Sequence, residues 1–292
     1  MTYNDIFQQI IKKMSFLCIG LDTAIDKIPV HLKNTEDPVF EFNKQIVDAT
    51  HQFAVAYKPN TAFYESCGSK GWASLEKTSK YIKENYPELF LIADAKRGDI
   101  GNTSQMYAKA FFETMPFDAI TLSPYMGRDS ILPFLRYEGK WVIILALTSN
   151  ASSVDFQVIQ EKESKEYIFE KTLKYGQLWG TNDQIMFVAG ATQAYKFQLI
   201  RKIAPEYFLL VPGIGAQGGD LNEVAEYGMN EHCGLLVNAS RSVLYASEGT
   251  DFAQKAAEEA EKLQLEMKTI LLRDLKKHFS RASLKNQNKT KE

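Results

Sequence analysis

Asp94, Lys96 and Asp99 fall within six positions at the end of an apolar run, in "IADAKRGDIGNT" at residues 92–103. A buried strand normally admits no such group, because a charge taken out of water costs several kcal/mol unless it is paired. On a strand, side chains two apart share a face, so Asp94 and Lys96 point one way while Ala93 and Ala95 point the other. Asp22 closes a second apolar run, "FLCIGLD" at 16–22, and Lys58 stands near the end of a third, "FAVAYKP" at 53–59. The alternation Lys58, Asp94, Lys96, Asp99 suggests a mutually neutralising chain. Desolvation alone lowers the pKa of a lysine, whereas flanking carboxylates keep it protonated, the state a general acid requires. A single Asp/Lys pair reads more readily as a structural salt bridge between strands than as a catalytic group. Four such groups at strand ends, beside a candidate phosphate site, favour chemistry.

That phosphate site is "VPGIGAQGGD" at 211–220, which follows an apolar run and leads towards a helical segment. Glycines let backbone N–H groups approach an anion, and a helix amino end favours negative charge. Gly213, Gly215 and Gly218 formally satisfy GxGxxG. A dinucleotide site, however, wants that motif in the first strand–helix–strand unit with an acidic residue about 20 positions later. Here it lies near the end of the chain. Arg241, in "VNASRSVL", could clamp a phosphate bidentately, and Gln217 could add an amide donor. Arg241 also reads as a helix cap or as a partner of Glu248.

Something must position these groups. Eight short apolar or β-branched runs recur, at 16–22, 53–59, 89–95, 117–123, 141–147, 185–191, 207–213 and 234–240. Helical spacing fills gaps between them, as at 38–53, 73–86 and 103–115. Continuous hydrophobic strands are those buried on both faces, and connections this long suit parallel crossovers. The expected fold is an α/β (β/α)8 TIM barrel, with a doubly wound open sheet as the alternative. The polar residues decide for the barrel. Asp22, Lys58, Asp94, Lys96, Ser123, Ser149 and Ser240 all stand at or just past the carboxyl ends of their runs, the catalytic rim of a barrel. We expect the barrel domain to occupy 1–250, a C-terminal helix 251–280, and a polar, disordered tail 281–292. The long polar connection at 149–170 is either a lid or a tolerated insertion.

Composition narrows the partners. The chain has 292 residues, 45% of them hydrophobic and 24% charged, with a net charge of −2. That balance gives no broad attraction to nucleic acid or to an acidic membrane, so a small-molecule partner is expected. Cys18, Cys67 and Cys233 are far apart and lack CxxC spacing, which suggests neither disulfides nor a thiolate metal site. The four histidines, His31, His51, His232 and His278, show no HxxxH or HExxH spacing. The amino end is unlike a signal peptide and no apolar stretch approaches the roughly 20 residues that span a bilayer, so a cytoplasmic location is expected.

The stretch "DAKRGDIGNT", with its Asp-x-Lys-x-x-Asp core, resembles the signature of the orotidine 5′-phosphate decarboxylase family. "GLD", "KPN", "TSN", "PGIGAQGGD" and "SRS" follow the family's strand-end order, and the likeness spans roughly residues 10–250. Its form of the signature is similar to the longer bacterial (type 2) subgroup. The resemblance implies decarboxylation of orotidine 5′-phosphate to UMP, with no metal or organic cofactor. It implies that Lys96 donates the proton, with Asp94 and Asp99 flanking it and Lys58 completing the charge chain. Asp22 and Lys58 would contact the ribose, Ser149 the pyrimidine, and Pro212, Gln217 and Arg241 the phosphate end. Asp99, Ile100 and Thr103 would reach into a neighbouring subunit's site, making a homodimer with shared active sites. Two features depart from the pattern: Thr148 and Ser149 offer adjacent hydroxyls, and Ser240 precedes Arg241 where many relatives have glycine. Three rivals stand beside this reading: a Mg2+-dependent sugar-phosphate aldolase or decarboxylase, a nicotinamide-dependent oxidoreductase, and a non-catalytic nucleotide sensor.

Overall fold

The structure, a computed structural model, describes residues 1–214 and 219–289. Each apolar run forms a strand: β1 Leu17–Gly20, β2 Ala56–Lys58, β3 Phe90–Arg97, β4 Ala119–Leu122, β5 Trp141–Leu147, β6 Ile185–Ala189, β7 Phe208–Pro212 and β8 Leu235–Ala239. They close a parallel barrel in sequence order, with β8 paired back to β1 through Leu17–Val237 and Ile19–Ala239. This is the eightfold TIM barrel, and the open sheet is set aside.

The helices alternate with the strands. The first half contains α1 Tyr3–Lys13, α2 Pro38–Thr50, α3 Thr61–Glu65, α4 Gly68–Asn85, α5 Gly101–Lys109 and α6 Leu132–Leu135. The second contains α7 Ile168–Trp179, α8 Phe197–Ile203, α9 Leu221–Gly228, α10 Arg241–Leu244 and α11 Phe252–Lys289. Local chemistry sets their starts. Asp37 caps α2 by accepting the Phe40 N–H, with Pro38 at the first helical position, and Asp220 caps α9 through the Asn222 and Glu223 N–H groups.

Every residue of β1, β4, β6 and β8 is buried, because the helical ring covers the outer face while side chains fill the interior. At the amino-terminal end of the barrel the Trp141 indole stacks edge-on to Phe90 and donates to the Met1 carbonyl at 2.8 Å. The last helix is seated against this body. Phe252, Ala256, Ala260, Met267, Ile270 and Leu271 of α11 are buried, and the Phe16 N–H donates to Met267 Sδ at 3.4 Å. Among the described residues no helix is long and apolar enough to cross a membrane.

Two features serve the carboxyl-terminal rim directly. The first is a buried polar network under the loop after β1. Thr23 donates to Asn43 Oδ1 at 2.6 Å, Asn43 donates to the Tyr64 hydroxyl at 2.9 Å, and Tyr64 donates to the Leu21 carbonyl at 3.0 Å. Tyr245 adds a clamp from the segment after α10, donating to the Asp22 carbonyl at 3.0 Å and accepting the Ala24 N–H at 2.9 Å. These bonds fix the backbone on both sides of Asp22. The second feature is Gly20: a Cβ there would stand 1.9 Å from Ser240 Oγ and 3.0 Å from Ser240 Cβ, so only glycine lets β1 and β8 converge at the rim.

Gly20→Ala is therefore expected to cost about 1–3 kcal/mol of stability by overpacking, read as a lower urea midpoint. Ser240→Gly in the same chain is expected to recover most of that loss. An undiminished midpoint for the single variant would contradict the close approach.

Candidate active site

At the carboxyl-terminal rim, Lys58 ends β2 while Asp94 and Lys96 lie near the end of β3. The Asp94 carboxylate is shared. Its Oδ2 accepts from Lys58 Nζ at 2.9 Å, and its Oδ1 accepts from Lys96 Nζ at 2.5 Å. Asp22 stands on the far side of Lys58, with Oδ1 4.0 Å from Nζ and no hydrogen-bond partner among the described residues. Lys58 and Asp94 are 4% and 8% exposed, whereas the Lys96 side chain is 50% exposed. The inner pair is thus dry and the outer ammonium faces the cleft.

Burial alone would raise the Asp94 pKa, but Lys58 and then Lys96 reverse that and hold the carboxyl well below its ordinary value. Burial would likewise lower the Lys58 pKa, yet Asp94 and then Asp22 drive it above the usual lysine range. Both groups are charged at any physiological pH. Cys18, beneath them, donates weakly to Asn238 Oδ1, and burial pushes its thiol up to about 12, so it is a neutral packing group.

Two compartments meet at this cluster. The smaller, about 190 Å³ and polar, is lined by Asp22, Asn60, Gly213, Asn238, Ser240 and Arg241. The larger, about 450 Å³, is walled by Lys96, Thr121, Leu145, Ser149, Val188 and Leu210 and is mostly apolar. Lys58, Asp94 and Pro212 border both. A ligand with a flat apolar ring and an anionic tail would span the two, with Lys58 and Asp94 at its waist.

Arg241 opens α10, and among the described residues it has no carboxylate within ion-pairing distance, Glu248 included. Gly213 adopts φ +100°, a turn after β7 that a side chain would resist, and accepts the Gly219 N–H through its carbonyl at 3.1 Å. Gln217, Gly215 and Gly218 lie outside the described residues.

After β5, Thr148 and Ser149 both border the larger compartment. A Cβ on Gly190 would meet Ser149 N at 2.6 Å, so glycine at the end of β6 lets this segment pass. Gln157, from the long connection, accepts the Thr148 N–H at 2.8 Å and donates to its hydroxyl at 2.9 Å. The connection thereby reaches back into the cleft.

Asp99, Ile100 and Thr103 are not part of this cluster within one chain. Asp99 Oδ1 accepts the N–H of Ile100 at 2.7 Å, and no ion pair joins it to Lys96. Ile100 and Thr103 are exposed at the start of α5. Five polar lining residues were given no role by the sequence reading: Asn60, Thr121, Asn150, Gln157 and Asn238. Thr121 and Asn238 sit inside apolar runs as ordinary strand residues, and only their inward register could have marked them. No cluster of three or more His, Cys, Asp or Glu side chains arranged to hold a metal ion occurs among the described residues.

Removing the shared carboxylate leaves Lys58 buried with Asp22 alone. Asp94→Asn is expected to lower unfolding free energy by about 3–5 kcal/mol at neutral pH. The sign of the pH dependence follows from the two shifts. The depressed Asp94 pKa stabilises the fold above its unfolded value of about 3.9, and the raised Lys58 pKa does so below about 10.4. Wild type should keep a constant advantage over Asp94→Asn from about pH 5 to 9 and lose it as pH falls below about 4. Denaturant titrations across that range check this; an advantage that grows on acidification would contradict it.

The family model described as orotidine 5′-phosphate decarboxylase / HUMPS matches residues 15–260. Orotidine 5′-phosphate decarboxylases from Phocaeicola vulgatus and Flavobacterium johnsoniae are each 58% identical over 271 residues. These alignments span 93% of this chain and 99% and 98% of the relatives. Among solved structures, orotidine monophosphate decarboxylase from Leishmania donovani superposes with a TM-score of 0.76 at 34% identity, over 91% of this chain and all of that one. With the rim lysines and aspartates in place and a match over most of its length, the chain belongs to the orotidine 5′-phosphate decarboxylase / HUMPS family.

Proposed function

We propose that this chain converts orotidine 5′-phosphate to UMP and carbon dioxide. The observation that carries the reading is the Lys58–Asp94–Lys96 cluster, set where an apolar, ring-sized compartment meets a polar one with Arg241 at its mouth. The 58% identity of decarboxylase relatives, aligned over 99% and 98% of their own length, supports the same substrate.

In this reading the pyrimidine occupies the larger compartment, with Thr148 and Ser149 offering polar groups to its edge. Asp22 and Lys58 meet the ribose hydroxyls, while Arg241, Pro212 and Gln217 surround the phosphate. Breaking the C6–carboxylate bond releases CO2 and leaves its electron pair on C6. The Lys96 ammonium stabilises that developing carbanion and then transfers a proton to it, forming the C6–H bond of UMP. Asp94 keeps Lys96 aimed, and the amine left behind regains its proton from solvent. Remote phosphate binding contributes energy to ordering the loops and excluding water.

The same reading makes the active unit a homodimer. Lys96 is half exposed in one chain, and Ile100, Met106, Tyr125 and Met126 present apolar surface at 48%, 59%, 87% and 49% exposure around the loops after β3 and β4. A second copy covering that face would carry Asp99, Ile100 and Thr103 towards the Lys96 of the first. Asp99 would then supply the second carboxylate flanking the acid.

The family's breadth leaves one rival, metal-assisted chemistry on a sugar phosphate. An absorbance assay with orotidine 5′-phosphate in the presence of EDTA separates them: turnover that survives the chelator supports cofactor-free decarboxylation, and its loss supports the rival. Lys96→Ala is expected to reduce turnover by more than about a thousandfold while UMP still binds; activity within tenfold of wild type would remove Lys96 from its role. Mixing Asp99→Ala with Lys96→Ala chains should restore partial activity through one intact site per heterodimer. Failure after verified subunit exchange would count against the shared site.

A further inference from the structure

The pairing of β3 with β4 is irregular at the place where the chemistry sits. Ala93 pairs with Ile120, but the next pair is Arg97 with Leu122. Asp94, Ala95 and Lys96 therefore bulge opposite a single residue, Thr121. Such bulges re-aim side chains and leave ladder groups unpaired. Lys96 takes φ +47°, a left-handed conformation that costs a non-glycine residue about 1–2 kcal/mol.

Thr121 is 1% exposed, and its hydroxyl takes the place of the missing ladder. Its oxygen accepts the Lys96 backbone N–H at 2.9 Å, and its one proton goes to Asp94 Oδ1 at 3.0 Å. That carboxylate oxygen is the same one that accepts from Lys96 Nζ. One hydroxyl thus holds both ends of the lysine–aspartate contact: the backbone that carries the ammonium and the oxygen that receives it.

We infer that Thr121 is a positioning residue for the proton donor, fixing Lys96 against Asp94 through its hydroxyl. This rests on the decarboxylase reading for its kinetic consequence but not for its geometry. The role needs a group that accepts and donates within the space of a β-branched side chain. Serine retains that capacity. Valine matches the shape but leaves the part-buried Lys96 N–H and one lone pair of the buried Asp94 without the Thr121 hydroxyl. Because Thr121 acts through Lys96 and Asp94, its loss should slow the chemical step more than substrate binding, where a misplacement of about 1 Å costs up to a hundredfold.

The test compares Thr121→Val and Thr121→Ser in steady-state turnover of orotidine 5′-phosphate, with UMP affinity as the check on an intact site. The expected result is a kcat lower by about 10- to 100-fold for valine, KM and UMP affinity within threefold of wild type, and serine within threefold of wild type in every constant. Valine at wild-type kcat, serine as impaired as valine, or a loss confined to KM would each overturn the proposal. If the valine variant does not fold, Thr121→Ala against Thr121→Ser carries the same comparison. Wild type inactive on orotidine 5′-phosphate would sink the decarboxylase reading instead. The positioning claim is then decided by a crystal structure of Thr121→Val: a lost Lys96–Asp94 contact or a Lys96 φ returned to negative values upholds it, and an unchanged pair overturns it.

Discussion

One buried carboxylate organises the site. Asp94 lies between two ammonium groups, with Lys58 on one oxygen and Lys96 on the other. Each member would be expensive to bury alone, and together they are tolerated because attraction and hydrogen bonding offset desolvation. The sharing is asymmetric. Lys58 is enclosed and serves as the fixed counter-ion, whereas Lys96 extends into the cleft with one of its three ammonium protons on Asp94 and the others turned to the cleft. Without Lys58, Asp94 would lose the main charge that offsets its burial and keeps it ionised; without Asp94, two neighbouring cations would repel.

The barrel makes this arrangement possible by economy of volume at the rim. Glycine and cysteine precede Asp22 on β1, and alanine precedes Lys58 on β2, so the long polar side chains close a space that small residues leave open. Gly20 allows β1 to approach Ser240, and Gly190 allows the Ser149 segment to cross β6. The bonds made by Tyr64 and Tyr245 hold the loop of Asp22 from beneath. Rigid elements thus place the charged groups, while the loop with Gln157 reaches in from the surface.

Much of this was legible in the sequence. The eight strands follow from runs buried on both faces, and the rim from charges at their carboxyl ends; the period-two rule put Asp94 and Lys96 on one face. The bulge was not legible. Nothing in "DAITLS" marks Thr121 as facing three residues of β3, because register is a relation between strands that neither strand encodes alone. Asn238 escaped for the same reason, as a polar residue in an apolar run whose inward register shows only in its contact with Cys18, on the neighbouring strand and far away in sequence. The separation of Asp99 from Lys96 within one chain was equally invisible: spacing in sequence suggests contact, but the turn after β3 points Asp99 at its own backbone. The long C-terminal helix, described as far as Lys289, shows its seat only in buried residues such as Ala256, Ala260 and Met267.

The central claim is spatial: a lysine held by Asp94 faces the carbon that loses CO2. It is tested most directly by a crystal structure with UMP bound. The expected result is Lys96 Nζ within about 3–3.5 Å of pyrimidine C6, with Asp94 still bonded to both lysines. A bound nucleotide with Lys96 turned to solvent, or with C6 at the far end of the cleft from it, would contradict the account.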